Sequence, residues 1–315
     1  MTLATPEVIC THESDLDGLV SGLLLQRLAK HLFGTEVTLE AFHYQAWKLR
    51  SMSERVAWVS DLAFETRFDR SNWLVVDHHS GDFRPKQAHL VHDLTKSAAL
   101  LCYELCQQHG LGSPELERLV HLTHLGDLFL EHDPDFALAC DYGSLVKNYG
   151  FWNLHSVIGG KLESLLDHPL LEVMQVRRRV EDPIGYELAL REVTEISPTV
   201  GLVRPPVGNT NLIVHELLNR QATPYPVLIS LHRRGAGVFV VSFRSLNGEA
   251  LPVAQKFEGG GGHPNASGAT LPRLSDHDSA LQFLRSRLCP APTSRPGATT
   301  MAEAFTGLQW QPEAK

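Results

Sequence analysis

Short apolar runs alternate with amphipathic helical patterns through residues 6–130, and this alternation limits the chain to few folds. Strands are predicted near residues 7–11, 36–42, 56–60, 73–77 and 88–92. Between the first two, apolar residues recur every four positions from Val20 to Leu32, and Gly34 follows as a helix C-cap would. Strands joined by crossover helices predict an α/β domain built on a mostly parallel sheet.

The rest of the chain changes character twice. Helices are predicted over 95–109 and 114–129, irregular sequence follows to about 160, and a helix-like stretch over 161–195 is interrupted by Pro183. From about residue 199, β-branched runs separated by Pro and Gly predict a smaller α/β domain. The expected organisation is a first domain over 1–160, a helical linker over 161–196, a second domain over 197–290 and a loosely ordered tail over 291–315.

The charge balance indicates which kinds of ligand the chain is suited to bind. The chain has 28 basic and 36 acidic residues, a net charge of −8. A protein that coats long nucleic acid needs an extended basic surface, so this balance argues against such a role. A small phosphorylated ligand needs only a local positive pocket, to which bound metal ions contribute charge.

The cysteines and the N-terminus indicate a cytoplasmic protein. Five cysteines are scattered without paired CxxC spacing, which favours reduced thiols over a disulfide framework. Residues 1–11 lack a basic and then apolar leader pattern, and no apolar run approaches the roughly 18 residues of a membrane span. We therefore expect neither export nor membrane insertion.

Acidic and histidine residues follow three of the predicted strands. They are His12, Asp15 and Asp17 after the first, Asp61 after the third, and Asp77, His78 and His79 after the fourth. Because the carboxyl ends of parallel strands form one edge of a sheet, the three groups should converge there. Crowded carboxylates and imidazoles need a cation among them, and mixed O and N donors suit manganese, iron, cobalt or zinc. Manganese is the expected ion.

Each group also has a plainer interpretation when taken alone. An isolated Asp-x-Asp-Gly is commonly a turn that caps a helix, and an aspartate such as Asp61 often caps the helix after a strand. The Asp77-His78-His79 run is harder to explain in this way, because it would carry three ionisable groups from a buried strand into an enclosed edge. That run favours metal binding or catalysis.

The second domain contains a run of four glycines from Gly259 to Gly262, followed by His263. Such a run is often a flexible loop. Here it lies between a helical pattern ending at Phe257 and an apolar strand-like segment beginning at Ala269. Glycines let a backbone approach a ligand and direct amide hydrogens at phosphate oxygens, so this segment is a candidate phosphate contact.

The ordered combination of these motifs resembles the DHH–DHHA1 phosphoesterase superfamily over nearly all of residues 6–272. The resemblance is carried by His12-x-x-Asp15-x-Asp17-Gly18, Asp61, Asp77-His78-His79, Asp127, Arg244-Ser245 and Gly260-Gly261-Gly262-His263-x-x-Ala266-x-Gly268. It implies a metal-dependent hydrolase with a catalytic DHH domain and a substrate-binding DHHA1 domain. RecJ-type exonucleases of the superfamily carry further nucleic-acid-binding domains for which this length leaves no room.

The resemblance also implies a role for each matching residue. His12 and Asp15 would hold one metal, Asp17, His78 and Asp127 a second, and Asp61 would bridge the two. Asp77 would orient a histidine and His79 would face the substrate phosphate, so His79, Asp61 and Asp77 are the expected catalytic residues. Arg244, Ser245, Gly260, Gly261, Gly262 and His263 would contact the substrate.

Two ligand positions have rivals in the sequence. His124 lies one helical turn before Asp127 and is the alternative ligand there. Only Glu13 and Ser14 separate His12 from Asp15, which departs from the spacing of many members and makes Glu13 an alternative to His12.

The expected reaction is hydrolysis of short oligonucleotides by a hydroxide shared between two divalent metal ions, as in nanoRNases of this superfamily. Cyclic-dinucleotide phosphodiesterase and pAp phosphatase activities are the alternatives. A nucleotide sensor without turnover and a structural interaction module are rivals from other classes. The expected partners are a small nucleotide or short oligonucleotide, no long nucleic acid and no membrane, and a homodimer is compatible with the sequence.

Overall fold

The computed structural model describes residues 3–81, 83–234 and 237–289, which form two units. The first unit contains residues up to Arg191 and the segment Pro205–Arg220. The second contains Glu192–Arg204 and the chain from Gln221 onward. The predicted loose tail over 291–315 lies outside the described residues.

A five-stranded parallel sheet forms the centre of the first unit. Its strands, in spatial order, are β2 (Thr38–Phe42), β1 (Val8–His12), β3 (Ala57–Ser60), β4 (Leu74–Asp77) and β5 (His89–His92). Every neighbouring pair is parallel, with Ile9 opposite Trp58 and Val59 opposite Val75. All five strands were predicted to within two residues, and the expected α/β class is confirmed.

The helices of the first unit pack on the two faces of this sheet or on one another. They are α1 (Leu16–Phe33), α2 (Tyr44–Leu49), α3 (Ala98–Gln108), α4 (Pro114–Asp127), α5 (Phe136–Tyr149), α6 (Phe151–Val157), α7 (Leu170–Arg191) and α8 (Thr210–Asn219). Alternate strand residues divide between two cores. Ile9 packs with α1 and α3 on one face, whereas Val8 and Cys10 pack with Trp47 and Phe68 on the other. Burial on both faces explains why the central strands read as continuous apolar runs.

Two sequence predictions for this unit are wrong. The stretch expected to be irregular up to residue 160 contains α5 and α6, separated at Gly150, which takes the left-handed φ of 82°. Pro183 does not interrupt the later helix, because α7 continues through it. Proline removes one helical hydrogen bond, and α7 is held by packing of its buried face, where Met174 and Ala189 lie.

The chain returns to the first unit between residues 205 and 220, which the sequence did not indicate. A Cβ on Gly185 of α7 would lie 2.2 Å from the carbonyl oxygen of Val207. Gly208 has φ of 86°, and a Cβ there would lie 2.7 Å from Asp182 Oδ1. These glycines allow the returning backbone to contact α7, and most of the expected linker over 161–196 is thus an integral helix of the first unit.

The described part of the second unit is a six-stranded mixed sheet with two helices. In spatial order its strands are β10 (Gly261–His263), β11 (Ala266–Thr270), β9 (Val238–Arg244), β8 (Val227–Arg234), β7 (Val200–Leu202) and β6 (Thr194–Ser197), with α9 (Ala250–Ala254) and α10 (His277–Leu288). Its core includes Ile229, Phe243 and Leu284. Across the described segments of both units, no helix combines the length and the apolar character that a bilayer crossing requires.

Candidate metal centre

Three neighbouring strands of the first sheet end at the same edge. β1 ends at His12, Asp61 directly follows β3, and β4 ends at Asp77 with His78 and His79 next. The carboxyl edge of a parallel sheet is where ligands bind in open α/β folds. The structure therefore brings together the residues that the sequence placed at three separate strand ends.

The start of α1 supplies two more carboxylates. Asp15 is the N-cap of α1, and its side chain accepts the N–H of Gly18 at 3.1 Å. Asp17 lies in the first turn and is only 1% exposed. Its two oxygens accept the N–H groups of Ala98 and Ala99, each at 2.8 Å, at the start of α3. The positive end of α3 thus fixes the Asp17 carboxylate.

His12, Asp15 and Asp61 form one potential ligand group. His12 Nδ1 lies 2.9 Å from Asp15 Oδ2 and 3.5 Å from Asp61 Oδ2. One donor atom from each of the three residues lies within 4.8 Å of the others. His12 therefore reaches the centre despite its short spacing from Asp15.

Asp17, His78 and Asp127 form a second group on the other side of Asp61. His78 Nε2 lies 3.7 Å from Asp17 Oδ2, 3.4 Å from Asp127 Oδ2 and 3.4 Å from Asp61 Oδ1. Asp127 is the last residue of α4, which places its carboxylate at the sheet edge. Asp61 thus presents Oδ2 to His12 and Oδ1 to His78, so its carboxylate faces both ligand groups.

His79 joins the same edge and is oriented by its neighbours. It groups with Asp61 and His78 within 4.8 Å. Its Nδ1 lies 2.7 Å from Oδ1 of the fully buried Asp77, and its carbonyl oxygen lies 2.8 Å from His92 Nε2. Contacts from Asp77 to the ring and from His92 to the backbone therefore fix His79.

Asp61 has an unusual backbone. Its φ of 55° lies in the left-handed region, which non-glycine residues rarely adopt. Its N–H donates to the carbonyl of Val76 at 3.0 Å, so the conformation is held by the neighbouring strand. Residues kept in such conformations cluster at functional sites.

The pKa directions in the centre show that negative charge is crowded there. Burial and the nearby Asp61 carboxylate raise the pKa of Asp17 to about 7. Burial and Asp17 raise the pKa of Asp127 well above its usual range. Burial alone would lower the pKa of His78, but the surrounding carboxylates of Asp61, Asp127 and Asp17 raise it to about 10. Protons are retained because the site favours positive charge.

The donor set fits divalent cations. Among the described residues, neither Asp61 Oδ2 nor Asp127 Oδ2 accepts a hydrogen bond of good geometry, although both atoms are buried and each lies near a histidine nitrogen, at 3.5 Å and 3.4 Å. Buried carboxylate oxygens without donors are costly unless a cation contacts them. The residues that would hold cations are His12 and Asp15 on one side, Asp17, His78 and Asp127 on the other, and Asp61 between them. Two imidazoles among carboxylates suit manganese, iron, cobalt or zinc better than calcium.

The two alternative ligands, His124 and Glu13, contact other residues. His124 Nδ1 accepts the N–H of Ser97 at 3.2 Å, and burial lowers the pKa of His124. Glu13 Oε2 lies 3.4 Å from His43 Nε2. The geometry thus groups Asp127 and His12 with the centre, whereas His124 supports the start of α3 and Glu13 contacts His43.

The motif residues of the second unit lie at one edge of its sheet. Ala266 of β11 pairs with His263 on one side and with Arg244 on the other. Directly paired residues project to the same face of a sheet, so the small Ala266 separates two basic side chains on one face. This spacing suits an anionic group held between Arg244 and His263.

The other members of this motif have distinct surroundings. Ser245 is buried, and its Oγ accepts the N–H of Ala250 at 2.9 Å, which supports the start of α9. A Cβ on Gly260 would lie 1.9 Å from the carbonyl of Ala254, and Gly262 has φ of 131°, so both positions require glycine for the backbone itself. A Cβ on Gly261 would meet nothing within 4 Å, so only Gly261 offers an open approach.

Sequence reasoning missed the contact between Asp17 and the start of α3. Asp17 and Ala98 are 81 positions apart, and no local pattern links them. Ser97, which caps α3 by accepting the N–H of Leu100, was the available sign of a helix start at this point. A further group, His121, Asp133 and Asp135, was also not predicted, and its Asp135 pairs with Arg118.

Comparison with known proteins gives a likeness of fold. No family model matches the sequence, and no curated protein matches it. The pGpG-specific phosphodiesterase PggH from Vibrio cholerae aligns with 89% of this chain and 98% of its own, at 17% identity and a TM-score of 0.52. An exopolyphosphatase-related protein from Bacteroides fragilis aligns with 90% of this chain and 92% of its own, at 15% identity and a TM-score of 0.48. The first alignment shows that this chain and that protein share a fold over most of their lengths.

Proposed function

We propose that this chain is a divalent-metal-dependent phosphoesterase that hydrolyses short oligonucleotides or small nucleotides. One observation carries the proposal. Asp61 directs its two carboxylate oxygens to two different groups of potential ligands, at 3.5 Å from His12 and 3.4 Å from His78. A shared carboxylate between two such groups is the arrangement used by two-metal hydrolases that act on phosphate esters.

Bound cations would supply the Lewis acidity that stabilises charge on the attacking and leaving oxygens. The protein supplies the framework for that chemistry. The start of α3 fixes Asp17, and the left-handed backbone of Asp61 directs its carboxylate between His12 and His78. Rigid placement of these side chains reduces the reorganisation needed during reaction.

His79 is proposed to contact the phosphoryl group of the substrate. Burial opposes its protonation, but the contact with Asp77 raises the pKa of His79 overall. A protonated imidazole donates a charged hydrogen bond and neutralises charge that develops on phosphoryl oxygens. Asp77, which is completely buried, would act by holding the ring in place.

A small substrate is the best match to the rest of the molecule. The net charge of −8 opposes binding along an extended polyanion. We propose that Arg244 and His263, on either side of Ala266, hold a phosphate of the substrate, with Gly261 as the open backbone contact. The protein of the same fold is named as specific for pGpG, which supports a small-nucleotide phosphodiester as the substrate class.

The test is a substrate panel with metal-stripped protein reloaded with Mn²⁺, Mg²⁺, Co²⁺ or Zn²⁺. It contains pGpG and other dinucleotides, oligomers of increasing length, pAp, cyclic dinucleotides and pyrophosphate. Asp61→Asn should lower kcat on the order of 10³-fold and reduce the number of Mn²⁺ ions bound, since it removes the shared carboxylate charge. Glu36→Gln, which removes one carboxylate at a position remote from the sheet edge, is the matched control and should change neither quantity.

Each outcome assigns the function. Preference for oligomers of two to five nucleotides establishes the nanoRNase-like activity, whereas turnover confined to pAp or a cyclic dinucleotide transfers the assignment to that compound. If a nucleotide binds tightly but is not turned over with any of the metals, the assigned function changes from enzyme to nucleotide sensor. Full activity of Asp61→Asn would exclude the bridging role on which the proposal depends.

A further inference from the structure

A histidine outside the sequence motifs lies at the same sheet edge as the candidate metal centre. β2 neighbours β1 in the sheet, and His12 pairs with Phe42, the last residue of β2. The ladder continues by one step, because the N–H of Glu13 donates to the carbonyl of Phe42 at 3.1 Å. His43 is the next residue along the chain, so the end of β2 places it beside Glu13 at the carboxyl edge.

Two side chains from the turn between β1 and α1 contact the ring of His43. Ser14 Oγ lies 2.8 Å from His43 Nδ1, and Glu13 Oε2 lies 3.4 Å from His43 Nε2. Ser14 and Glu13 stand between His12 and Asp15, which belong to the first ligand group. The two residues that separate these potential ligands therefore position a third side chain next to that group.

These contacts indicate where the ring of His43 carries a hydrogen. A carboxylate only accepts hydrogen bonds, so the nitrogen that faces Glu13, Nε2, carries one. The hydroxyl of Ser14 both donates and accepts, so it can serve Nδ1 in either state of the ring. The side chains of His43 and Glu13 are 47% and 27% exposed, so the pair presents an N–H donor and a carboxylate acceptor to solvent.

A hydroxyl group matches this pair better than a phosphate does. One hydroxyl can accept the N–H of His43 and donate its own hydrogen to Glu13. A phosphate oxygen only accepts, and the Glu13 carboxylate would repel its charge. The 3.4 Å between His43 Nε2 and Glu13 Oε2 exceeds the roughly 2.7–3.2 Å of an N–H···O hydrogen bond, so both atoms can turn to a ligand without loss of a good one.

We propose that His43 and Glu13 bind a ribose 2′-hydroxyl of the substrate and thereby select ribonucleotides over deoxyribonucleotides. The inference rests on the proposed function, in which the scissile phosphate lies at the ligand groups. When the 3′-oxygen of a ribose is esterified, the free hydroxyl nearest that phosphate is the 2′-hydroxyl of the same ribose. This hydroxyl distinguishes RNA from DNA. Its place beside the phosphate matches the place of the His43–Glu13 pair beside the first ligand group.

Ser14 acts through His43 and not on the substrate. Its hydroxyl holds Nδ1 of the ring, which turns Nε2 towards Glu13. Ser14 is therefore a positioning residue, and its substitution should matter only while the imidazole is present.

The preference for a ribonucleotide over its deoxy analogue tests the proposal. The probe is pGpG, pAp or cyclic di-GMP, whichever the wild-type chain hydrolyses fastest with Mn²⁺, together with its 2′-deoxy counterpart. The wild-type kcat/KM should favour the ribonucleotide by about 10-fold or more, as expected for hydrogen bonding of the hydroxyl to a charged group. His43→Ala and Glu13→Ala should each reduce this preference to about 3-fold or less, mainly by lowering kcat/KM on the ribonucleotide.

Further variants separate specificity from structure. His43→Ala should bind as many Mn²⁺ ions as the wild-type chain and unfold at the same urea concentration, because the exposed ring belongs to neither ligand group. Ser14→Ala should lower the preference, and Ser14→Ala with His43→Ala should lower it no further than His43→Ala alone. His89→Ala is the matched control and should keep the wild-type preference, because His89 is an exposed histidine at the start of β5, on the opposite edge of the sheet.

Each remaining outcome overturns the inference. If the wild-type chain hydrolyses a nucleotide and its deoxy analogue equally well, or if His43→Ala keeps the preference, His43 does not read the hydroxyl and the proposed function stands. An equal loss on both substrates in His43→Ala makes the role of the ring structural. If the wild-type chain hydrolyses no nucleotide with any of the metals, the proposed function fails and this inference fails with it.

Discussion

The free energy of unfolding of the metal-free protein should fall as pH rises. The pKa of His78 is about 10 in the folded chain, against an ordinary value of 6.5, because three carboxylates surround it. The folded state therefore binds more protons than the unfolded state between these two values. The stability that protonated His78 contributes is complete below pH 6.5 and is lost as pH rises towards 10. Metal binding replaces these protons and should reverse the trend.

The size of the effect follows from linkage. Between pH 7.0 and 8.5 the unfolded imidazole is mostly neutral and the folded one mostly protonated, so each pH unit costs about 1.4 kcal/mol. His78 alone should therefore remove about 2 kcal/mol from the free energy of unfolding over this interval. Asp17, with a pKa of about 7, is still half protonated at pH 7.0 and ionises within the interval, and the raised pKa of Asp127 acts in the same direction. Asp15 and Asp77 have lowered pKa values and stay ionised throughout, so the total fall should be about 2 kcal/mol or more.

Urea unfolding followed by tryptophan fluorescence is a suitable assay. Trp47, Trp58 and Trp73 are fully buried in the first unit, so their emission reports on the unit that holds the centre. Unfolding is measured in EDTA and in excess Mn²⁺ at pH 7.0, 7.75 and 8.5, with His78→Gln as the comparison. A flat or rising stability of the metal-free protein would refute the reasoning, as would an unchanged slope in His78→Gln.

Three further substitutions test parts of the site. Gly18→Ala places a Cβ 2.0 Å from the carbonyl oxygen of His12, so we expect a loss of about 1–3 kcal/mol in urea unfolding and weaker Mn²⁺ binding by calorimetry; unchanged values would contradict this packing. Asp77→Asn should lower kcat about 10- to 100-fold through misorientation of His79 while the number of bound Mn²⁺ ions stays the same; loss of an ion would instead make Asp77 a ligand. Gly261→Ala should leave stability within about 0.5 kcal/mol and raise KM, and an unchanged KM would remove Gly261 from the substrate contacts.

The sheet of the first unit could be predicted from sequence because its strands are buried on both faces. Residues 57–60 and 74–76 are entirely buried, which requires short continuous runs of apolar or small residues. Once the strands are known, parallel pairing fixes which ends share an edge. The convergence of His12, Asp61 and His78 then follows from chain order and fold rules without any knowledge of the intervening helices.

Other parts of the fold depend on contacts that local sequence does not express. α5 contains Gly143 and a buried Asp141, which weaken its helical pattern, and Asp141 is stabilised by a bidentate contact with Arg178 of α7. The return of the chain at 205–220 likewise depends on Gly185 of α7 being distant in sequence but close in space to Val207. Such pairings are set by tertiary packing, which overrides local preference.

Asp61 illustrates why a site residue can contradict local rules. A residue with φ of 55° directly after a strand would be glycine if only backbone energy mattered, because side chains other than glycine are strained there. The carboxylate is nevertheless present, buried beside His12 and His78, and one of its oxygens accepts no hydrogen bond of good geometry among the described residues. Strain, burial and an unsatisfied oxygen each reduce stability. The three costs coincide at a carboxylate that faces both ligand groups, which is the pattern expected where a residue is kept for function at the expense of stability.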